Sequence, residues 1–209
     1  MGVGSNATNS IFEVQDGATF LGAATTRIEA GAGGHSSFNG IAVSNATVTC
    51  GAIYLGLLAS GTYSYYSSND YLRVAGPATR IGVLGTAADS IRVRMGSRLV
   101  FTLPENGFTA TPLTTAGGVG VVADTDETVQ TYSVVPSKLV IDASAFDADR
   151  KGRKQTLLSC ATASAESLQR LVDNVEFVNA ARHGTVTIED GGTRLVYNGL
   201  SGSTAVIVR

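Results

Sequence analysis

Residues 14–20, "VQDGATF", form the stretch that decides the fold. A β-branched residue precedes a short polar corner that contains glycine, and β-forming residues resume directly after it. A closely similar heptad, "IEDGGTR", lies at residues 188–194, near the other end of the chain. A local pattern that recurs along a chain indicates a repeated structural unit. The two heptads therefore predict that one kind of corner is turned many times.

Comparable strand–corner–strand segments start at residues 40, 71 and 90, and a degenerate copy starts at Lys138. Glycine tolerates positive φ, so it predicts a sharp bend in each corner that contains it. These glycines are Gly17, Gly76, Gly96 and Gly191. Because side chains alternate along a strand, we expect the residues before four of the corners to form one buried, collinear column. The four residues are Val14, Val43, Val74 and Val93.

A hairpin is the rival interpretation of a strand–corner–strand segment. We reject it because Pro77 lies at the start of the next strand, where a hairpin needs a backbone N–H. A corner that bends the chain without reversing it stacks successive copies in parallel. The sequence therefore predicts an all-β fold, a parallel β-helix (β-solenoid) in which residues 1–209 form a single module.

Three segments depart from this repeat. Residues 1–9 are too short and polar for a capping helix, and we expect them to be flexible and to leave an open sheet edge that allows self-association. Residues 109–130 predict a long loop or irregular coil. Residues 163–175 predict an insert with one short helix near the C-terminal part, in which Ser164 is the N-cap. Its apolar face follows helical spacing and consists of Leu168, Leu171, Val172 and Val175.

Composition limits the function. The chain has 209 residues and a formal net charge of −2, which argues against nucleic-acid binding because that needs a basic excess. It has no apolar run long enough for a membrane span and no recognisable signal peptide. We favour a fragment of a longer exported protein over a cytosolic one. Cys50 and Cys160 are most simply two buried apolar thiols, although a disulfide stays open.

The repeated corners in a low-charge, Gly- and Thr-rich chain resemble the passenger region of bacterial autotransporter-type surface proteins. The segment from residue 137, "SKLVIDASAFDADRKGRKQTLLSCATA", followed by "GTVTIEDGGTRLVYNG", is similar to the closing coils of such passengers. The resemblance covers about residues 10–200. It implies a right-handed parallel β-helix, export, and display at the cell surface or in the extracellular space. It transfers no catalytic residue.

Two groups of side chains are candidates for binding a ligand, which we expect to be a cell-surface glycan or protein. Tyrosine combines an apolar ring with a polar tip, which suits contact with sugars or a partner. Four tyrosines are close in sequence: Tyr63, Tyr65, Tyr66 and Tyr71. Arg73 and Arg92 occupy equivalent repeat positions, so stacked copies would bring them within roughly 5 Å of each other. Like charges that close are unfavourable unless an anion or acid lies between them, and the alternative to an anion site is a solvated face relieved by neighbouring acids.

Acidic residues carry the alternative hypothesis of a polysaccharide-active enzyme. They form two groups, one with Asp124, Asp126 and Glu127 and one with Asp142, Asp147 and Asp149. Paired carboxylates catalyse glycoside hydrolysis, and Lys151 or Arg153 would be the basic partner. The simpler interpretation is solvated loops, without metal or cofactor. We expect a non-catalytic structural or adhesive module, and a phage or virion fibre segment is the third possibility.

Overall fold

The computed structural model describes residues 2–3, 8–31, 38–56, 69–94, 96–121, 136–146, 153–178 and 184–199. These residues are mostly β, in parallel sheets, with one helix. Strand β1 (Gly2–Val3) comes first, and the chain then passes repeatedly through three sheets, which we name I, II and III. We call one passage through the three sheets a circuit.

Four circuits have a strand in each sheet, in the order I, II, III. The first contains β2 (Ile11–Gln15), β3 (Thr19–Leu21) and β4 (Arg27–Ala30). The second contains β5 (Gly40–Ser44), β6 (Thr47–Cys50) and β7 (Ala52–Leu55). The third contains β8 (Tyr71–Ala75), β9 (Arg80–Val83) and β10 (Ile91–Val93). The fourth contains β11 (Arg98–Thr102), β12 (Leu113–Thr115) and β13 (Val119–Val121).

The fifth circuit ends differently. Strands β14 (Lys138–Asp142) and β15 (Lys154–Cys160) extend sheets I and II, but helix α1 (Ala165–Asp173) follows where a strand of sheet III would come. Strand β16 (Val175–Val178) then pairs with β14 in sheet I. Strands β17 (Thr185–Glu189) and β18 (Arg194–Asn198) complete sheet II, where β18 pairs antiparallel with β15.

Buried side chains form columns that run through successive circuits. In sheet I, Val14 pairs with Val43, Val43 with Val74, and Val74 with Phe101. All four side chains point into the core and are buried. Similar inward columns in sheets II and III complete one continuous hydrophobic core.

The predicted column is confirmed for Val14, Val43 and Val74 and is wrong for Val93. Val93 is buried, but it lies in sheet III between Leu55 and Val121. The segment from residue 90 contains the last strand of one circuit and the first strand of the next. Its corner at Gly96 is therefore a different corner of the circuit, and Phe101 takes the fourth place in the column.

The corner glycines adopt the predicted conformation. Gly17, Gly76, Gly96 and Gly191 have φ of 82°, 79°, 67° and 66°. In the first corner, the amides of Asp16 and Gly17 donate to carbonyls of the next circuit, at 3.1 and 2.7 Å. These bonds hold the bend in the parallel stack.

The heptad at residues 188–194 forms an antiparallel hairpin, so our rejection of hairpins is wrong for this copy. Glu189 pairs with Arg194 across a four-residue turn between β17 and β18. Both heptads contain the same turn hydrogen bond. The Ala18 amide donates to the Gln15 carbonyl oxygen, and the Gly192 amide donates to the Glu189 carbonyl oxygen. Gly192 has φ of 93°, a value that alanine rarely adopts, and this additional glycine lets the chain reverse.

Two of the segments that we expected to depart from the repeat contain strands. Strands β12 and β13 lie within residues 109–130, where we expected a loop or irregular coil, and residues 122–130 lie outside the described residues. Within residues 1–9, Gly2 and Val3 pair with β4 and add a strand to sheet III, and residues 1 and 4–7 lie outside the described residues. The sequence did not indicate these two strands, because each has only three residues and lies in a Gly- and Thr-rich segment with short corners.

Helix α1 lies within the predicted insert and covers an edge of sheet III. Leu168 and Leu171 are fully buried, whereas Val172 is half-buried and Val175 belongs to β16. Ser164 is the N-cap residue but makes no side-chain capping bond. Its hydroxyl oxygen instead accepts from the Val119 amide at 2.9 Å, and that of Ser167 accepts from the Val121 amide at 3.1 Å. These hydroxyls take the place of strand carbonyls along β13.

Leu171→Ala is expected to lower the free energy of unfolding by about 2–5 kcal/mol, because it removes a fully buried side chain from the helix–sheet contact. Gln169→Ala is the control on the exposed side of α1, where only the bond to Asp173 is lost, and it should change stability by no more than about 0.5 kcal/mol. Urea unfolding followed by circular dichroism measures both. Equal stability of the two variants would contradict the packing of α1 on the sheets.

The two cysteines are free and buried, which settles the question of a disulfide. They lie in one column of sheet II, in the order Cys50, Val83, Thr115, Cys160. Three strand spacings separate them, roughly 14 Å, which is beyond disulfide reach. Burial raises the pKa of Cys50 to about 11 and also raises that of Cys160.

Native thiols should therefore react slowly with Ellman's reagent at pH 8, because the raised pKa leaves little thiolate and burial blocks access. Unfolding in urea should release two reactive thiols per chain. Rapid native labelling of either cysteine, counted by mass spectrometry, would show that its strand is not packed as described.

Candidate functional site

The predicted ligand residues are dispersed. Tyr63, Tyr65 and Tyr66 lie outside the described residues. Tyr71 and Arg73 lie on β8, on the outward face of sheet I. The Tyr71 ring lies against Gly40 so closely that a Cβ there would overlap it. Arg73 is exposed.

Arg92 lies in sheet III, so the predicted stacking of Arg73 on Arg92 is wrong. Arg73 pairs with Ala42 and Val100 in sheet I, and Arg92 pairs with Tyr54 and Gly120 in sheet III. The cause is the same as for Val93: the segment from residue 90 was aligned as one repeat, but it spans the end of one circuit and the start of the next.

The strands of sheet I carry a mixed outward charge. Cations occur at Arg73, Arg98 and Lys138, and acids at Glu13, Asp142 and Glu176. Lys138 Nζ lies 2.9 Å from a Glu176 carboxylate oxygen, and this hydrogen bond holds the pKa of Glu176 below its usual value. The face therefore lacks the cationic excess that an anion site needs.

The outward face of sheet III carries a row of residues around Tyr54 whose charges neutralise one another. Glu29, Tyr54 and Arg92 are neighbours in register on β4, β7 and β10. The Arg92 guanidinium carbon lies 4.4 Å from the Tyr54 ring centroid and that of Arg27 lies 5.1 Å from it. Arg27 also pairs with Glu29, and Arg92 pairs with Asp89. Cation–π contact and ion pairing together fix the tyrosine ring.

A slot begins beside this row, at the corner between sheets II and III. Five residues, 22–26, join β3 to β4, and seven, 84–90, join β9 to β10. Between these two turns, only Gly51 joins β6 to β7. The middle circuit is therefore recessed between two longer turns, which form the walls of the slot.

The floor of the slot is backbone packed on backbone. A Cβ on Gly51 would overlap the Ala24 carbonyl oxygen, and a Cβ on Gly85 would overlap the Gly51 carbonyl oxygen. The Gly51 amide donates to Thr26 O at 2.6 Å, and the Gly85 amide donates to Gly51 O at 2.9 Å. The shape of the slot is thus set by hydrogen-bonded main chain.

The walls combine polar and apolar groups around a volume of about 930 Å³ that is open to solvent. Thr25 and Thr86 are exposed on opposite walls, and Leu84 exposes 44% of its surface. Arg27, Glu29 and Tyr54 line the end of the slot on sheet III. A volume of this size is in the range of ligand-binding clefts.

The acidic residues of the enzyme hypothesis do not meet in a described site. Asp142 Oδ1 accepts hydrogen bonds from the amide and hydroxyl of Ser144, which is a local turn contact. Asp147, Asp149, Lys151 and the group at residues 124–127 lie outside the described residues. Arg153 is described and half-buried. Among the described residues, no group of three His, Cys, Asp or Glu side chains could hold a metal ion.

Comparison with known proteins gives no match to any family model, curated protein or solved structure. Within the part of the chain described above, no helix is long and apolar enough to cross a membrane.

Sequence reasoning missed the slot because no motif marks it. The signal was the unequal spacing between strands, which is visible only once each strand is assigned to the right sheet. Gly51 and Gly85 were not among the corner glycines that we singled out, because neither needs a positive φ. Their role is close backbone approach.

Gly85→Ala should destabilise the protein by roughly 1–3 kcal/mol, because its Cβ would meet the backbone oxygen of Gly51. Gly82→Ala is a matched control on the adjoining strand, where a Cβ meets nothing within 4 Å. It should leave stability unchanged or raise it by up to about 1 kcal/mol. Thermal unfolding of the two variants decides: equal melting temperatures would contradict the stacked corner.

Proposed function

We propose that the chain is a non-catalytic structural and adhesive module, displayed at a cell surface or secreted, that binds a glycan in the slot. The architecture that we propose is the right-handed parallel β-helix. In support, circuits pass through the sheets in the same order, and their paired strands run parallel from β2 to β14 in sheet I and from β3 to β15 in sheet II.

The observation that carries the adhesive role is the solvent-open slot between the two turns that flank Gly51. Its walls are short turns with internal bonds, from the Thr26 amide to Ala23 O at 2.9 Å and from the Ser90 amide to Ala87 O at 3.2 Å. A site that is already ordered loses little conformational entropy on binding, which favours affinity. An open slot also admits a segment of a long chain, whereas an enclosed cavity admits only a small molecule.

Binding to a panel of immobilised neutral and acidic glycans tests this proposal. Ala52→Tyr places a large side chain on the slot floor, at an outward, half-buried position of β7. Thr49→Tyr is the control, since Thr49 is outward on β6 and pairs in register with the exposed Leu21. We expect the wild type and Thr49→Tyr to bind, and Ala52→Tyr to lose about tenfold or more in affinity.

Equal binding by all three proteins would contradict the slot as the adhesive site, as would the absence of any binding. Release of new reducing ends from a bound glycan by the wild type would contradict the non-catalytic role and favour the polysaccharide-active enzyme.

A further inference from the structure

We infer that the slot takes an uncharged saccharide segment and discriminates against carboxylated sugars. This inference rests on the proposed glycan-binding function and adds the chemical class of the ligand. It is drawn from the charges, hydroxyls and apolar groups that line the slot.

The charges at the slot are already paired. Arg27 forms an ion pair with Glu29, and both line the slot. The Glu29 residue is only 8% exposed, so its carboxylate sits at the sheet surface with little water to screen it. An acidic sugar would have to compete with Glu29 for the Arg27 guanidinium. A cationic sugar would likewise have to compete with Arg27 for the Glu29 carboxylate.

Arg92 does not supply a positive charge for an acidic sugar either. Its guanidinium pairs with Asp89 and lies over the Tyr54 ring. Binding an anion there would separate an ion pair and a cation–π contact at the same time. The two arginines nearest the slot therefore stabilise the protein surface and leave no unneutralised positive charge for a ligand.

The remaining groups suit a neutral sugar. Thr25 and Thr86 offer exposed hydroxyls from opposite walls, and the half-exposed Arg27 side chain offers further N–H donors. Leu84, with Ala24 and Ala87, adds exposed apolar surface. A sugar ring has hydroxyls at its rim and C–H groups on its faces, so it can use both kinds of contact at once.

Matched pairs of oligosaccharides test the class of ligand. Each pair has the same ring configuration and differs by a hydroxymethyl or a carboxylate group: galactose with galacturonate, mannose with mannuronate, glucose with glucuronate. By calorimetry we expect at least one neutral member to bind, and its carboxylated counterpart to bind about tenfold more weakly. Neutral binding should change little between low salt and about 0.5 M NaCl, because no net charge is neutralised.

Glu29→Gln gives the sharpest variant, since it removes the carboxylate charge beside the Arg27 guanidinium while keeping the side-chain size. We expect it to improve binding of the carboxylated member by about fivefold or more and to make that binding salt-sensitive. Leu84→Glu, at an exposed wall position, should abolish neutral binding without a change in melting temperature. It replaces Ala52→Tyr as the slot variant if that protein does not fold.

The outcomes separate the inference from the proposed function. If the wild type prefers the carboxylated member and the slot variant loses that binding, the ligand class is wrong but the slot remains the adhesive site. If the slot variants bind every sugar as the wild type does, or no sugar binds the wild type, both proposals fail. Unchanged selectivity in Glu29→Gln would also overturn the electrostatic argument.

Discussion

In-register pairing between successive circuits is the constraint on which the other features depend. Each sheet I strand from β5 to β14 pairs with a strand before and a strand after it, so its inward residue must lie between two inward residues. A slip of one residue would turn a core side chain such as Val74 to solvent. The columns, the corners and the outward rows are therefore fixed together.

The distinctive surface features arise where successive circuits differ in turn length while their strands stay in register. Turns of five, one and seven residues meet at the corner between sheets II and III, and their difference in length creates the slot. The C-terminal end arises in a similar way. Helix α1 replaces a strand, serine hydroxyls accept from β13, and the hairpin β17–β18 adds antiparallel strands to sheet II. A regular core thus supports irregular corners that carry the distinctive chemistry.

Local features were predictable from the sequence, and the correspondence between repeats was only partly so. The positive φ of Gly17 and Gly76 follows from the intrinsic freedom of glycine, and the buried face of α1 follows from helical spacing. The placement of Val93 failed because a circuit has three corners, and corners of different kinds share small polar residues. The fold of residues 188–194 depended on one additional glycine, Gly192, within an otherwise similar heptad.

The candidate site was less predictable than the fold. Arg92 and Tyr71 were singled out by local sequence, but the contacts of a charged side chain can come from residues far away in the sequence, such as Glu176 beside Lys138 and Tyr54 beneath Arg92. A recess over Gly51 is a relation between three turns, and no single segment encodes it. Long-range pairing decides both properties, and the local pattern does not report it.

Disulfide trapping of the register tests the central claim most directly. Ala75 and Thr102 are register partners on β8 and β11, whereas alignment of the repeated motifs alone would place Ala75 beside Arg94. Our account predicts that Ala75→Cys with Thr102→Cys crosslinks under mild oxidation, because parallel neighbours lie within disulfide distance. The pair Ala75→Cys with Arg94→Cys should remain reduced under the same conditions. Crosslinking of the Arg94 pair in place of the Thr102 pair, read by peptide mass mapping, would contradict the three-sheet circuit.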